Sequence, residues 1–205
     1  MEAEATTRSR RRLDVLDAAV RVLSERGFAQ TRVADIAERC GISPSLIHYY
    51  FDSREQLLLQ TLAYANDQFF LRLTRQLRTE RTARHQLEAL ITLALPRAPD
   101  DPAGVGDWDL WLDVWVQSLR NPDMAREREI LERRFRLTIR DIIERGRTSG
   151  EFPGGEDSRL LGTRIGAVID GMAVQMLLND ADFPPDATRD LCVKLSLALI
   201  GSRVG

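Results

Sequence analysis

The sequence predicts an all-α protein with about nine helices: an N-terminal three-helix helix-turn-helix domain followed by a larger C-terminal helical domain. Apolar residues recur at helical spacing along most of the 205 residues, and strand-type alternation is nearly absent. Glycine, proline and capping residues separate the periodic segments. A composition of 43% hydrophobic and 29% charged residues is typical of a globular chain.

The first two helices are short and end at glycines. An apolar stripe from Leu13 to Leu23 defines the first helix, and Gly27 follows where a left-handed residue ends a helix. Thr31 is predicted to cap the second helix. Gly41 is predicted to end it, and the turn centred there joins helices two and three as a helix-turn-helix.

The third and fourth helices begin at serine caps. Ser43 precedes Pro44, which suits the first helical position because the missing N–H has no intrahelical partner there. Ser53 and Gln56 have the spacing of a capping box, which predicts a long fourth helix that ends at about residue 78.

Five more helices follow, separated by the turn-rich stretches PRAPDDPAGVGD and GEFPGGED and by the asparagine-proline and proline-proline pairs. Their predicted ranges are about 83–95, 107–120, 123–146, 157–179 and 186–202.

The third helix is too short and too polar to be mainly a packing element. With 3.6 residues per turn, Ile47 and Phe51 fall on one inner arc. The outward and marginal positions are Ser45, Leu46, His48, Tyr49 and Tyr50. A recognition helix in a DNA major groove presents such a face to bases and phosphates. The alternative is that the two tyrosines are half-buried residues covering a small domain.

The run TRVADIAERCGISPSLIHYYFDSREQLL resembles the N-terminal DNA-binding domain of the TetR family of transcriptional regulators. The matching residues include Thr31, Ile36-Ala37, Gly41, Ser43, Phe51, Ser53-Arg54-Glu55 and Leu57, with Gly27-Phe28 before them. The resemblance covers about residues 8–58. It implies a DNA-binding domain over residues 8–55 and a helical ligand-binding and dimerisation domain over residues 56–205.

The resemblance also implies which residues contact DNA. Base or groove contacts are expected from Pro44, Ser45, Leu46, His48 and Tyr49, and phosphate contacts from Thr31, Tyr50 and Arg54. Ser43, which caps the third helix, is also expected among the DNA-binding residues. Ser45, Leu46 and His48 differ from the residues common in the family. Because these three lie on the outward face, the operator sequence cannot be transferred from a relative.

The arginine-rich run at residues 8–12 has two interpretations. It is either a phosphate-binding arm that precedes the first helix or a solvated terminus. Net charge does not decide between them, because the whole chain carries −2 and residues 1–60 hold nine arginines against nine acidic residues. Any nucleic-acid surface must therefore come from where the charges lie.

Two C-terminal segments, WDLWLDVWVQSLRNPDM and IGAVIDGMAVQMLLND, resemble the BetI-like branch of the TetR family. Trp108, Trp111 and Trp115 form one stripe at helical spacing, which is either a packed core face or part of an aromatic site for a cation. Asp170 lies inside an apolar run. It is solvated, capped by a partner group or a ligand contact. Asp170 and the three tryptophans are the candidate ligand-binding residues.

The last two helices are the predicted dimer interface. Gly162, Gly166, Ala167 and Gly171 recur at spacings of about four, and each helical glycine costs up to about 1 kcal/mol relative to alanine. Close helix–helix approach offsets that cost. The resemblance implies that the helices at 157–179 and 186–202 pair with those of a second copy.

The resulting hypothesis is a homodimeric, cytoplasmic repressor that leaves a palindromic DNA operator when an unknown small-molecule effector binds. A small all-helical enzyme and a purely helical interaction module with a vestigial DNA-binding head are the alternatives. Against an enzyme, the chain has only two histidines and lacks metalloprotease and phosphate-loop motifs. No cofactor, metal or membrane is predicted. Cys40 and Cys192 are read as small buried residues.

Overall fold

The computed structural model describes residues 2–27, 29–96 and 107–201. Within these ranges the chain forms nine α-helices and no β-strand, so the predicted fold class is confirmed. The helices are α1 Glu2–Arg26, α2 Val33–Cys40, α3 Pro44–Tyr50, α4 Arg54–Thr79, α5 Ala83–Ala94, α6 Asp107–Ser118, α7 Pro122–Thr148, α8 Ser158–Leu177 and α9 Pro185–Ile200.

The predicted stop signals are confirmed for the first two helices. Gly27 has φ 75° and Gly41 has φ 65°, both in the left-handed region that glycine enters without a steric penalty. The start of α1 differs from the prediction. Because no glycine or proline interrupts residues 2–26, α1 includes the arginine-rich run at residues 8–12, which therefore does not precede the first helix.

The cap of α2 is a correction to the sequence interpretation. Arg32, not Thr31, is the N-cap residue, and its backbone N–H donates to the Asp35 carboxylate at 2.8 Å. Thr31 lies one residue earlier, where its hydroxyl donates to the Gly27 carbonyl oxygen at 2.8 Å. Thr31 therefore ties the end of α1 to the segment before α2.

The predicted cap of α4 is confirmed at Ser53. The Gln56 backbone N–H donates to the Ser53 hydroxyl at 3.0 Å. The Gln56 side-chain oxygen, however, accepts from the Asp52 N–H at 2.7 Å, one residue before the position that a capping box uses.

The helices pack as two compact units. Unit 1 comprises Met1–Phe69 with Pro102–Leu131, and unit 2 comprises Phe70–Asp101 with Glu132–Gly205. Their boundaries fall inside α4 and α7. The functional division at residue 55 remains a prediction, because packing alone does not assign a function to a segment.

Two apolar clusters lie among the described residues of unit 1. One holds the short helices together and includes Val15, Leu16, Ile36, Ile47, Phe51 and Leu57. The other joins α1, α4, α6 and the start of α7 through residues such as Leu23, Leu62, Leu110 and Val114. Both clusters contact the C-terminal half of α1, through residues 15–23.

Unit 2 is built on α5, α7, α8 and α9. Buried residues line each of these helices, among them Leu87, Ile143, Ile165 and Leu197, and α9 packs against both α5 and α8. After α7, Phe152 folds back so that its N–H donates to the Gly146 carbonyl oxygen at 3.0 Å. This return loop positions the start of α8.

Candidate functional site

Helix α3 is defined by caps at both ends. The Ser43 hydroxyl accepts from the Leu46 N–H at 3.3 Å, and Pro44 occupies the first turn, as predicted. At the other end, the Phe51 N–H donates to the Ile47 carbonyl oxygen at 3.0 Å, and the Phe51 backbone is extended, which ends the helix. These local interactions fix a seven-residue helix that is too short to be stable in isolation.

Tertiary packing supplies the stability that α3 lacks. Ile47 and Phe51 are each 1% exposed, in the cluster that also contains Val15 and Ile36. The inner arc predicted from the helical wheel is therefore confirmed. Burial of two large side chains on one arc fixes which face of α3 points outward.

The outward face of α3 carries polar and aromatic groups. Ser43, Pro44, Ser45, His48 and Tyr49 are exposed, and Leu46 and Tyr50 are half-buried. Tyr49 is 61% exposed, and its ring meets the Tyr50 ring edge to face at 5.3 Å between centroids. The face thus combines hydroxyl, imidazole and phenol groups that can hydrogen-bond to base edges or phosphates.

Thr31 and Arg54, both expected to contact phosphate, contact each other. Thr31 is only 2% exposed, and its hydroxyl is turned inward to Gly27. Arg54 donates from Nε and Nη2 to the Thr31 carbonyl oxygen at 3.2 and 3.1 Å. These contacts are internal to unit 1, so phosphate binding by either residue stays a prediction.

Arginines of the N-terminal run project from α1. Arg10, Arg11 and Arg12 are exposed, and the Arg8 side chain lies outside the described residues. Arg12 donates to the Gln60 side-chain oxygen at 2.5 Å and lies 5.6 Å from the centre of the Phe51 ring. At least Arg12 is therefore bound to the helix-turn-helix core and is not a freely solvated side chain.

A groove of about 390 Å³ lies among α1, α2 and α3. Its charges are largely paired, for example Asp17 with Arg21 at 3.0 Å and Arg39 with Glu25.

Burial, together with Asp14 and Asp17, raises the pKa of the Cys40 thiol, which disfavours the nucleophilic thiolate. Burial likewise raises the pKa of Cys192 to about 12.

The three tryptophans of α6 lie in unit 1 and are all half-buried. The Trp108 and Trp115 rings meet edge to face at 5.9 Å, whereas Trp111 packs against the cluster of Leu23, Leu62 and Val114. One tryptophan therefore has a packing role, and the other two form an aromatic pair. Their binding to a ligand stays a prediction.

Asp170 lies on α8 and belongs to unit 2, whereas the three tryptophans belong to unit 1. Burial raises the pKa of its carboxyl to about 6, and the Glu132 carboxylate adds to this effect while the Arg136 guanidinium opposes it. Arg136 also pairs with Glu132 at 3.5 Å. Asp170 is thus half-buried and not fully solvated, in a cluster of three charged groups.

Replacing Asp170 with asparagine is expected to stabilise the protein at neutral pH. The folded-state pKa is raised above the unfolded value of about 3.9, so the folded form binds the proton more tightly. The free energy of unfolding then falls as pH rises from about 4 to about 6, by up to about 3 kcal/mol. Urea unfolding of both proteins at pH 4 and pH 7.5 measures this, and a gain that is equal at both pH values would contradict it.

The sequence interpretation missed Asn66 on α4. This residue of unit 1 is 6% exposed, and its amide nitrogen has no hydrogen-bond partner among the described residues. A buried donor without a partner costs about 1–3 kcal/mol. The sequence feature that could have indicated a buried polar group is an asparagine within the apolar stripe that includes Leu62 and Phe70.

Both halves of the chain match known families. Residues 15–61 match the bacterial regulatory proteins of the tetR family, and residues 83–200 match the C-terminal region of BetI-type transcriptional repressors. The chain is 26% identical over 195 residues to the HTH-type transcriptional regulator BetI of Brucella anthropi, covering 94% of this chain and 95% of that protein.

Solved structures resemble the fold, among them two regulators with bound ligands. A transcriptional regulator from Saccharomonospora viridis in complex with choline is 33% identical, with a TM-score of 0.79 over 90% of this chain and 94% of that one. The regulator FadR from Bacillus subtilis in complex with stearoyl-CoA is 24% identical, with a TM-score of 0.65 over 92% and 95% of the two chains. The second likeness concerns the fold alone.

Proposed function

Because the chain belongs to the TetR family of transcriptional regulators and has a BetI-like C-terminal region, we propose that it is a homodimeric repressor released from a palindromic operator by a small-molecule effector. The observation that carries this proposal is α3. Its apolar arc is buried at Ile47 and Phe51, while Ser45, His48 and Tyr49, which lie off that arc, are exposed. Such an arrangement suits a recognition helix.

The proposed contacts divide into base-reading and positioning groups. Ser45 and His48 can hydrogen-bond to base edges, and Leu46 can pack on a thymine methyl group. Tyr49 and Tyr50 can reach phosphates or the groove, and Arg10 and Arg11 on α1 supply exposed positive charge. A repressor must reach its operator on the bacterial chromosome, so we propose a cytoplasmic location.

Apolar surface on α8 and α9 supports the proposed homodimer. Leu191, Leu195 and Leu199 recur every four residues on α9 and are 43%, 41% and 36% exposed. On α8, exposed Ala167 and Gly171 leave room for a close helix. Helix α8 is long and apolar enough to cross a membrane by length and composition alone. Of its most apolar stretch of 18 residues, 44% is buried within one protomer. A second copy would cover the remainder.

The effector proposal starts from the aromatic pair of Trp108 and Trp115. Aromatic faces bind quaternary ammonium groups, and the regulator from Saccharomonospora viridis is known with choline. Asn66, in the same unit, has a buried donor that a polar ligand atom could satisfy. We therefore propose a small organic cation of the choline type as the first effector to test.

Selection from a random duplex library tests the DNA half of the proposal. The wild-type protein should retain a palindromic sequence with half-sites about 34–36 Å apart. Affinity for it should fall at least about 100-fold between about 50 and 200 mM salt, because phosphate contacts release counterions. Retention of no duplex, or a flat salt response, would contradict DNA binding.

The same complex tests the effector. Choline should release the selected duplex, whereas its neutral carbon analogue 3,3-dimethylbutanol should not, because it lacks the positive charge that aromatic faces attract. Equal release by both compounds, or by neither, would contradict a cationic effector while leaving DNA binding intact.

Replacing Tyr49 with alanine is expected to weaken binding to the selected duplex by at least about 1 kcal/mol, or roughly fivefold. The side chain is 61% exposed, so its truncation removes the edge-to-face contact with Tyr50 but no core packing, and the variant should remain folded and dimeric. Tyr49→Phe keeps the ring and separates the contribution of the hydroxyl. Fluorescence anisotropy measures both variants, and wild-type affinity for Tyr49→Ala would remove Tyr49 from the interface.

A further inference from the structure

Arg54 forms an internal clamp at the start of α4. Its guanidinium donates from Nε and Nη2 to one acceptor, the Thr31 carbonyl oxygen, at 3.2 and 3.1 Å. Thr31 precedes α2 and Arg54 is the first residue of α4. The clamp therefore joins the two chain segments that enter and leave the α2–α3 pair.

Thr31 is itself held in place. Its hydroxyl donates to the Gly27 carbonyl oxygen at 2.8 Å, and its side chain is 2% exposed. Gly27 in turn donates its N–H to the Leu23 carbonyl oxygen at 2.8 Å, at the end of α1. A continuous set of hydrogen bonds thus runs from the end of α1 through Thr31 to the start of α4.

The clamp lies close to α3 in the chain. Phe51, the C-cap of α3 and part of the buried cluster, is only three residues before Arg54. A shift of the start of α4 relative to Thr31 would move Phe51. Because Phe51 is part of the buried arc of α3, the orientation of α3 would change with it. Hydrogen bonds from a charged donor are among the stronger ones in proteins, and a guanidinium fork fixes direction as well as distance.

We propose that Arg54 is a positioning residue: it sets the orientation of α3 for sequence recognition through the Thr31 carbonyl, instead of pairing with a DNA phosphate. This inference rests on the proposed DNA binding. A lysine keeps the positive charge at this position but cannot reproduce the two-pronged contact.

The two roles have opposite signatures in DNA binding. A phosphate ligand contributes to every sequence equally, and its loss reduces the salt dependence by about one counterion. A positioning residue affects only the duplex whose bases α3 reads. Its loss should lower specific affinity while non-specific affinity and the salt dependence stay as they were.

Arg54→Lys is the decisive variant, with Arg21→Lys as the matched control because Arg21 forms an exposed ion pair with Asp17. Affinities for the selected duplex and for a scrambled duplex are measured over a range of salt concentrations, together with the melting temperature. Arg54→Lys should lose about 10-fold in specific affinity. Its non-specific affinity should change less than about twofold, and Arg21→Lys should match the wild type.

Thr31→Val is the second variant, because it removes only the hydroxyl that holds Thr31 to Gly27. It should lose specific affinity in the same selective way, by about threefold, and it serves alone if Arg54→Lys does not fold. A selective loss in either folded variant supports the positioning role.

Three results would overturn the inference. Arg54→Lys could match the wild type while Arg54→Gln reduces the salt dependence, as expected for a phosphate ligand. Both clamp variants could lower the melting temperature and leave the ratio of specific to non-specific affinity unchanged, as expected for a merely structural contact. Finally, a wild-type protein that binds no duplex would overturn the proposed function, and the inference with it.

Discussion

Replacing Gly162 with alanine is expected to lower the free energy of unfolding by about 1–3 kcal/mol. A Cβ atom at this position would lie 2.7 Å from the backbone oxygen of Arg136 on α7. Backbone cannot move aside as a flexible side chain does, so α7 and α8 must separate. The resulting loss of packing exceeds the helix propensity of up to about 1 kcal/mol that alanine adds.

Gly166→Ala is the matched control for this prediction. Gly166 lies one turn further along the same helix, and its added Cβ would meet only the Arg136 Cγ at an ordinary 3.6 Å. This variant should be as stable as the wild type or more stable, by up to about 1 kcal/mol. Urea unfolding measures both. Equal stability of the two variants would show that the close approach at Gly162 does not constrain the fold.

The same glycines show what the sequence could and could not predict. Their spacing correctly indicated a close approach of helices, but the sequence assigned all of them to one interface. The structure divides them: Gly162 faces α7 within the protomer, whereas Gly171 is exposed with nothing within 4 Å of an added Cβ. Spacing specifies a helix face, and only the packed structure identifies its neighbour.

Local signals predicted the ends of α1 and α2 and the caps of α3 and α4. Gly27, Gly41, Ser43 and Ser53 act through atoms within about four residues of themselves, so the sequence window contains both partners. The buried arc of Ile47 and Phe51 was likewise predictable, because helical periodicity alone places them together.

Contacts between distant residues were not predictable in this way. Arg54 and Thr31 are 23 positions apart, and the sequence suggested a phosphate as the partner of each. Their contact depends on how α1, α2 and α4 pack, which no local pattern encodes. The buried donor of Asn66 is a similar case, since an asparagine in an apolar stripe does not identify what surrounds it.

Replacing Leu195 with glutamate is expected to separate the proposed dimer and to weaken operator binding by more than about 100-fold. Leu195 is the middle residue of the exposed α9 stripe and is 41% exposed in one protomer. A dimer that buried this stripe would have to desolvate the new carboxylate without a partner, at a cost of several kcal/mol. The isolated protomer would remain folded, because the side chain already reaches solvent.

The expected loss of DNA affinity follows from the geometry of a palindrome. Two linked recognition helices bind successive half-sites as one unit, so the second contact forms at high effective concentration. A monomer has only one such helix and loses this advantage. Leu119→Glu, the same change at an 83% exposed leucine of unit 1, is the control and should leave both properties unchanged. Sedimentation analysis measures the oligomeric state, and fluorescence anisotropy measures operator affinity. A Leu195→Glu protein that stays dimeric would contradict the α8–α9 interface. A monomeric Leu195→Glu protein with full operator affinity would contradict recognition by a dimer.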